Sequence, residues 1–300
     1  MDTHLAVTLS ATVRFQEGPV RLAAVGGRWV AIPVAVSETA GFGEADGRLV
    51  SRQDDCGVVK VLCPQSQLLH NLLVAGCDPA LGIVRDHWKR HFSEGNVHWQ
   101  NLPTTAAVED MAQGQAHIAG VHFPDEASQR DTLATLEMAV AVVHFARWEQ
   151  GWMLRRGNPL GFRSVEDLAS ARVRLLNRVE GSGSRMLLDE LLEKAGVPPT
   201  LVPFYTNVAA THFDCAAAIR EGRADVAMGL RAVAESCDLD FIPVQEVSSN
   251  LVIPQALLGF APVTNLRELL QDRGFRRQLD GLPGYNTAQT GEVLSDPQPV

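Results

Sequence analysis

The segment VRLLNRVEGSGSRMLLDELL, residues 173–192, decides the fold that we expect for this chain. An apolar strand ends at Asn177-Arg178, a turn with two glycines follows, and a helix opens near Ser184. Glycine lets the backbone pass close to a ligand, and the free N–H groups and dipole of a helix start favour negative charge. The segment therefore predicts a strand–turn–helix unit with an anion site at its turn.

Polar side chains strengthen this anion site. Gly183 permits a close backbone approach, Ser182 and Ser184 add hydroxyl donors, and Arg178 and Arg185 offer charge-assisted hydrogen bonds. On a simpler interpretation, Ser184 is only a helix N-cap and the glycines only form a tight turn. The residues alone leave both interpretations open.

The pattern on either side of this segment is that of an α/β sheet, because strands and helices alternate from Val58 onward. One series holds the strands VVKVLCP, NVHWQNLP and HIAGVHFP with the helices ALGIVRDHWKRHF and AAVEDMAQGQA. A second series starts at MAVAVVHFARWEQGWMLRR. The chain then returns through DFIPVQEV and LVIPQ and ends with an amphipathic helix, LRELLQDRGFRRQLDGL. We expect two lobes with a cleft between them: the first lobe (57–135 and 248–300) and the second lobe (136–247).

The N-terminal residues 1–56 follow a different pattern. LAVTLSATVRF, PVRLAAV and RWVAIPVAV are β-rich, are separated by turn clusters, and show no helical period. GRLVSRQDDCG, residues 47–57, has the composition of a last turn and linker. We therefore predict a small N-terminal all-β domain ahead of the α/β part.

Two weaker helix starts lie in the first lobe. Pro79 suits a first helical turn, with Cys77 or Asp78 as its cap, and Thr104-Thr105 opens the next helix. Capping is the simpler interpretation for both. Asp78 in particular would repel an anion if it pointed into the cleft, which favours a capping role.

A comparable helix start in the second lobe is Thr211-His212, where a histidine can donate to an anion or sense its protonation. The other histidines, including His87, His91 and His117, are interpreted as surface or strand-packing residues, and no metal site is predicted. The sequence holds no GxSxG, GxxxxGK[ST] or dinucleotide-binding motif, so we expect no catalytic residues.

Composition narrows the class of protein further. The net charge of −9 comes without a Lys/Arg cluster, which argues against direct nucleic-acid contact. The five cysteines are odd in number and lack CxxC spacing, so reduced thiols in the cytoplasm are expected. The N-terminus has no secretory pattern, and no apolar run approaches the roughly 20 residues that span a bilayer.

Seven segments in collinear order carry a family resemblance for residues 57–300. These segments are GCDPAL, MAQGQAHIAGVHF, WEQGWMLRRGNP, NRVEGSGSRMLLDELL, THFDCAAAIREGRADVAMGLRAVA, LDFIPVQEVSSNLVIP and PGYNTAQTGEV. This part resembles the periplasmic-binding-protein-like domains of molybdate-type regulators and molybdopterin-synthesis proteins, related in fold to molybdate- and tungstate-binding proteins and LysR-type effector domains. The resemblance implies a two-lobed type II periplasmic-binding-protein-like fold of the α/β class.

Residues 5–62 resemble the small C-terminal β domain of molybdopterin molybdotransferase, through PVRLAAVGGRWVAIPV, SETAGF and EADGRLV. The chain lacks that enzyme's catalytic domains, so its activity is not inferred, although a longer fusion remains open. Two departures concern the first lobe. This chain has Gly76-Cys77-Asp78 where the family has a serine-bearing turn. It has Thr104-Thr105 where the family has Gly-Ser at the start of a helix. Because a thiol donates more weakly than a hydroxyl, affinity or ligand choice is expected to differ.

The resemblance implies a sensing module linked to molybdenum cofactor metabolism, with no cofactor of its own, that closes on an oxyanion such as molybdate or tungstate. An alternative is an accessory domain that binds a pterin-like or other organic anion, or a partner protein. A cleft above roughly 300 Å3, lined by Trp148 and Trp152, would favour that alternative. The oligomeric state stays open, with a homodimer as one option.

Overall fold

The computed structural model describes residues 3–34, 36–37, 41–123, 125–170 and 172–295. Residues 38–40 of the SETAGF turn lie outside the described residues. The strands are β1 (His4–Leu9), β2 (Gly18–Val25), β3 (Arg28–Pro33), β4 (Val36–Ser37), β5 (Gly41–Phe42), β6 (Gly47–Gln53), β7 (Cys56–Val61), β8 (Leu72–Gly76), β9 (Val97–Gln100), β10 (Ile118–His122), β11 (Val140–Leu154), β12 (Asn177–Arg178), β13 (Val208–Ala209), β14 (Val226–Leu230), β15 (Asp240–Pro254), β16 (Tyr285–Asn286) and β17 (Val293–Ser295).

The helices are α1 (Gln65–Leu68), α2 (Leu81–His91), α3 (Thr104–Ala112), α4 (Glu126–Ala134), α5 (Gly183–Lys194), α6 (His212–Arg220), α7 (Arg231–Ser236), α8 (Ala261–Gln271) and α9 (Arg273–Asp280). Three short 3-10 turns lie at Val165–Ala169, Pro199–Leu201 and Gln255–Leu257. Within the described part of the chain, none of these helices combines the length and apolar character needed to cross a bilayer.

Strands β1, β2, β3, β6 and β7 form a closed barrel in the order β1-β3-β2-β6-β7, and β7 pairs back onto β1. Successive side chains of a strand face opposite sides, so alternate apolar residues fill the interior. Val20, Leu22, Leu49 and Val59 are all fully buried in this core. The apolar alternation of the N-terminal segment therefore closes on itself.

The barrel extends beyond the predicted boundary at residue 56. The sequence predicts VVKVLCP as the first strand of the α/β sheet, whereas most of it lies in β7, which pairs with β1 and β6. A two-residue hairpin turn at Asp54-Asp55, with Asp54 at φ 51°, returns the chain along β6. Val59 then completes the barrel core, and the α/β sheet begins at β8.

The second sheet runs in the order β14-β11-β15-β10-β8-β9, and β16 and β17 add to β11. Strands β8, β9 and β10 are parallel neighbours, while β15 is antiparallel to β10 and β11. Parallel pairs need a crossover, which α2 and α3 provide. The chain therefore has a mixed α/β fold, as predicted, and the ends of β8 and β10 lie at one sheet edge.

Strands β11 and β15 connect the two lobes, because both are 15 residues long and pair from Val140–Pro254 to Leu154–Asp240. One end of β15 pairs with β10, and the opposite end of β11 pairs with β14. The predicted lobe boundary at 247/248 lies inside β15, whereas that at 135/136 lies between α4 and β11. The sequence of β11 mixes apolar residues with His144, Arg147 and Glu149, and this pattern gives no signal of where the strand passes from one predicted lobe to the other.

The predicted single C-terminal helix is two helices, α8 and α9, which meet at Asp272. Asp272 has extended backbone angles, and its Oδ1 accepts a hydrogen bond from the Phe275 N–H at 2.7 Å. An aspartate in this position satisfies a free donor of a new helix start. The apolar period continues across the break, which explains the difference.

Asp46, 7% exposed, joins the barrel to the first lobe. Its Oδ2 accepts hydrogen bonds from the Leu22 N–H at 2.8 Å and the Asn71 amide at 3.3 Å, and it lies 2.8 Å from Nε2 of His98. Leu22 belongs to β2, while Asn71 precedes β8 and His98 lies in β9. One buried carboxylate thus connects three elements.

Replacing Asp46 with alanine should lower the free energy of unfolding by about 2–4 kcal/mol, because buried donors would lose their acceptor. Urea unfolding followed by circular dichroism measures this loss. The control is Asp86→Ala, an exposed carboxylate paired with Arg85, which should change stability by less than about 0.5 kcal/mol. Equal effects of the two variants would contradict the structural role of Asp46.

Candidate functional site

The centre of the candidate site is Arg178, at the end of β12 and only 1% exposed. Its Nε and Nη2 donate to the backbone carbonyls of Ala209 and Ala210, at 3.3 and 2.9 Å. Its Nη1 is buried without a hydrogen-bond partner. Among the described residues, no carboxylate lies within ion-pair distance of this guanidinium. A full positive charge is therefore buried with one donor direction unsatisfied.

The first lobe contributes Cys77 and His122, which follow β8 and end β10. The Sγ of Cys77 lies 3.5 Å from Nδ1 of His122, and the His122 ring packs edge-on against Trp148, with ring centroids 4.9 Å apart. Burial raises the pKa of Cys77 to about 11, although Arg178 opposes this shift. The thiol stays protonated at neutral pH, whereas a reactive cysteine needs a lowered pKa.

Asp78 is held by local donors. Its carboxylate accepts hydrogen bonds from the Ala80 N–H at 2.9 Å, the Tyr285 hydroxyl at 2.7 Å and the Ser249 hydroxyl at 2.7 Å. Burial raises its pKa, while these donors lower it. Helix α2 begins only at Leu81, after a turn, so Asp78 stabilises the turn instead of capping a helix that starts at Pro79.

Thr104 and Thr105 open α3, as predicted, and bring the lobes into contact. The hydroxyl of Thr104, fully buried, donates to the His122 carbonyl at 3.3 Å. The backbone N–H of Thr105 donates to the Gly181 carbonyl of the second lobe at 3.3 Å. This helix start thus contacts the turn formed by residues 181–184, which we call the GSGS turn.

The GSGS turn is also a helix cap. Helix α5 begins at Gly183, and the Ser182 hydroxyl accepts from the Arg185 N–H, so Ser182 is the N-cap rather than Ser184. A side chain at Gly183 would place its Cβ 2.3 Å from the His122 ring, which explains why glycine is needed there. Ser184 is fully buried and accepts from the Gln150 amide at 2.7 Å.

Arg185 is engaged within its own helix. Its Nε donates to Asp189 at 3.0 and 3.1 Å, and its guanidinium stacks on Tyr205 at 4.1 Å from the ring centroid. Of the two predicted arginines, Arg178 therefore offers the guanidinium without a carboxylate partner among the described residues.

Thr211 and His212 start α6, as predicted. Thr211 forms a capping box with Asp214, with both hydrogen bonds at 3.0 Å. The His212 ring is 2% exposed, and neither ring nitrogen has a hydrogen-bond partner. Thr211 thus caps the start of α6, and His212 supplies a polar side chain without a hydrogen-bond partner.

The site combines one fixed positive charge with neutral donors. Burial lowers the pKa of His122 to about 3 and that of His212 well below its ordinary range, and the charge of Arg178 adds to both shifts. His122 also lowers the pKa of His212, so the three side chains lie close enough to interact. A site with this balance suits a ligand that brings negative charge.

Sequence reasoning missed His122 and Gln150. His122 ends β10, which is parallel to β8, and ligands of open α/β sheets bind at the carboxyl ends of parallel strands. That rule would have grouped His122 with Cys77. Gln150 carries no such signal, because its place opposite Ser184 depends on the packing of β11 against α5.

Comparisons with known proteins agree on the fold. The sequence model of the PBP superfamily domain matches residues 85–271 of the 300-residue chain. The uncharacterized Bacillus subtilis protein YvgK is 26% identical over 229 residues, which cover 75% of this chain and 73% of YvgK.

Two solved structures are similar at low identity. A Clostridium perfringens protein with bound phosphate has a TM-score of 0.57 at 8% identity, covering 70% of this chain and 96% of that protein. The sulfate-binding protein SubI from Mycobacterium tuberculosis has a TM-score of 0.54 at 13% identity, covering 72% and 85%. At these identities the likeness shows the fold.

Between pH 7 and pH 5, the wild type should lose about 2 kcal/mol more stability than His122→Gln. The ordinary pKa of histidine is 6.5, and burial lowers that of His122 to about 3 in the folded state. As the pH falls below 6.5, the unfolded chain binds a proton that the folded chain excludes, so this contribution is lost. Urea unfolding at pH 7, 6 and 5 measures it.

The control for this comparison is His4→Gln, which removes an exposed histidine of the barrel and should keep the wild-type dependence on pH. The comparison between variants is needed because Asp78 and Asp110 have raised pKa values and oppose the trend. An identical pH dependence for wild type and His122→Gln would show that His122 is not buried in its neutral form.

Proposed function

This chain belongs to the PBP superfamily, and we propose that it binds a small oxyanion between its two lobes, without catalysis of its own. The observation that carries the proposal is the guanidinium of Arg178, 1% exposed and without a carboxylate partner in the described ranges. Burying an unpaired charge costs several kcal/mol. A bound anion would supply the missing counter-charge.

The groups around Arg178 support an anion over a cation. Nη1 of Arg178 is a donor without a partner, and His212, neutral at pH 7, has one N–H to donate. Asp78, the carboxylate of the predicted set, already accepts hydrogen bonds from three donors. Unsatisfied donors beside a fixed positive charge favour a compact ligand with several acceptor oxygens.

Both lobes contribute to the proposed site. Cys77 and His122 come from the first lobe, and Arg178 and His212 from the second, while Thr105 bonds across to Gly181. Because the site side chains are buried, a ligand enters when the lobes separate, and the hinge lies in β11 and β15. The anion then stabilises the closed arrangement, since it contacts both lobes only there.

The identity of the anion is a finer part of the proposal. Molybdate or tungstate, and a role in molybdenum cofactor metabolism, rest on the sequence resemblance of residues 57–300. Phosphate and sulfate, which occur in the names of two structural neighbours, have the same tetrahedral shape and are the competing ligands. A cytoplasmic location and a homodimer stay predictions from the sequence.

A pterin-like anion is less well supported. Trp148 packs on His122, and Trp152 packs in the second-lobe core against Phe162, so neither lines a wide cleft. A cavity of about 330 Å3 is present, but its lining, which includes His144 and Arg147, contains none of the predicted site residues. The tight packing around Arg178 suits a single ion.

Calorimetric titration tests the proposal with four probes: molybdate, tungstate, sulfate and phosphate. We expect at least one to bind the wild type with one site per chain. Arg178→Gln should weaken this binding about 10- to 100-fold, because one charge-assisted hydrogen bond contributes about 1.5–3 kcal/mol. The affinity ratio between probes identifies the preferred oxyanion.

Arg220→Gln is the matched control, because Arg220 is an exposed arginine near the end of α6, the helix that His212 begins. It removes the same charge and should leave affinity within about twofold, since exposed charges are screened by salt. The proposed function would be contradicted if none of the four anions gave a binding signal, or if Arg178→Gln bound the anion with the affinity of the wild type.

A further inference from the structure

A second cluster of polar side chains lies on the first lobe, where the C-terminal turn of α2 meets the start of α9. His87 and His91 are four residues apart on α2, and Asp272 is the N-cap of α9. One ligand atom from each of these three residues lies within 4.8 Å of the other two. The two histidine rings, one helical turn apart, are stacked with centroids 5.7 Å apart and an interplanar angle of 18°.

Hydrogen bonds fix which nitrogen of each ring is free. Nδ1 of His91 donates to the His87 carbonyl at 2.9 Å, so its Nε2 keeps the lone pair. Nε2 of His87 donates to the side-chain oxygen of Gln278, which leaves the lone pair on Nδ1. Metal-binding histidines use the same arrangement, in which a carbonyl oxygen orients one nitrogen and the other binds the ion.

The free nitrogen of His87 is the independent sign of a missing ligand. His87 is 5% exposed, and its Nδ1 is buried without a hydrogen-bond partner. A buried acceptor without a donor is unfavourable, and native proteins contain few such groups. An ion bound between His87 and Asp272 would satisfy this nitrogen.

We propose that His87, His91 and Asp272 bind a divalent transition-metal ion, with Zn²⁺ as the reference ion. Two imidazole nitrogens and one carboxylate oxygen suit Zn²⁺, Co²⁺, Ni²⁺ or Cu²⁺ better than Mg²⁺ or Ca²⁺. Zinc bonds of about 2.0–2.2 Å place tetrahedral ligands roughly 3.5 Å apart, so small side-chain movements complete the site. Water takes the fourth position.

The bound ion would fasten α9 to α2. Phe275 of α9 already packs edge-on against the His87 ring, with centroids 5.5 Å apart, and Asp272 opens the same helix. An ion shared by both helices stabilises the folded chain, because it binds the unfolded chain weakly. This site contains none of the residues proposed for the oxyanion, so the two proposals succeed or fail separately.

The test uses the full chain, stripped of metal with a chelator, and titrated calorimetrically with ZnCl₂. His91→Gln removes an exposed ligand without opening the core, and Asp272→Asn keeps a helix N-cap while removing the carboxylate. We expect the wild type to bind one Zn²⁺ that His91→Gln loses and Asp272→Asn binds at least tenfold more weakly. The midpoint temperature of thermal unfolding should rise with Zn²⁺ in the wild type, rise less in Asp272→Asn, and stay unchanged in His91→Gln.

His4→Gln is the matched control, because it removes another exposed histidine, in β1 of the barrel, and should keep wild-type zinc binding. Visible spectra with Co²⁺ separate this site from the exposed thiol of Cys56, since the proposed ligands include no sulfur. Equal zinc binding by wild type, His91→Gln and Asp272→Asn would overturn the proposal. So would a Co²⁺ spectrum dominated by thiolate charge transfer.

Discussion

The buried guanidinium of Arg178, at the end of β12, constrains the rest of this structure. Arg178 is kept in place by the carbonyls of Ala209 and Ala210, which accept two of its donors but do not neutralise its charge. Histidines 122 and 212 lie close by and are kept neutral, so they add no charge to the site. The charge of Arg178 is therefore buried without a counter-charge among the described residues, which is the basis for the proposal that an anion binds there.

The surrounding fold positions this charge through the ends of secondary structure elements. Strand ends of the first lobe supply Cys77 and His122, and helix starts of the second lobe supply Ser182 and His212. The long strands β11 and β15 connect both groups, and the proposed hinge lies in them. Asp46 ties the barrel to the first lobe.

The periodicity of apolar residues predicted the fold class, but it did not predict the boundary of the barrel or the break between α8 and α9. The change from β-rich sequence to alternating strands and helices was visible, but β7 belongs to the barrel, since strand pairing decides membership and local apolarity does not. The division at Asp272 was hidden, because the apolar period runs through both helices. The boundary at 247/248 was placed inside β15, but the one at 135/136 was placed before β11, since no break in the sequence marks a crossing within a continuous strand.

Local sequence features predicted the helix starts that contribute to the candidate site. A glycine turn before a helix and a histidine at a helix start can be recognised in sequence, and Arg178 and His212 were found in that way. Partners distant in sequence were not: Asp189 engages Arg185, and Asp272 lies beside His87 and His91 only through the packing of α9 on α2. The pair His87–His91, four residues apart, was a usable signal that was read as surface packing.

The most direct measurement is a crystal structure of the chain soaked with tungstate, with tungsten located by anomalous scattering. We expect one strong peak enclosed by both lobes, with tungstate oxygens within hydrogen-bond distance of Arg178 Nη1 and of a His212 ring nitrogen. A guanidinium neutralised instead by a protein carboxylate, with no peak between the lobes, would contradict it.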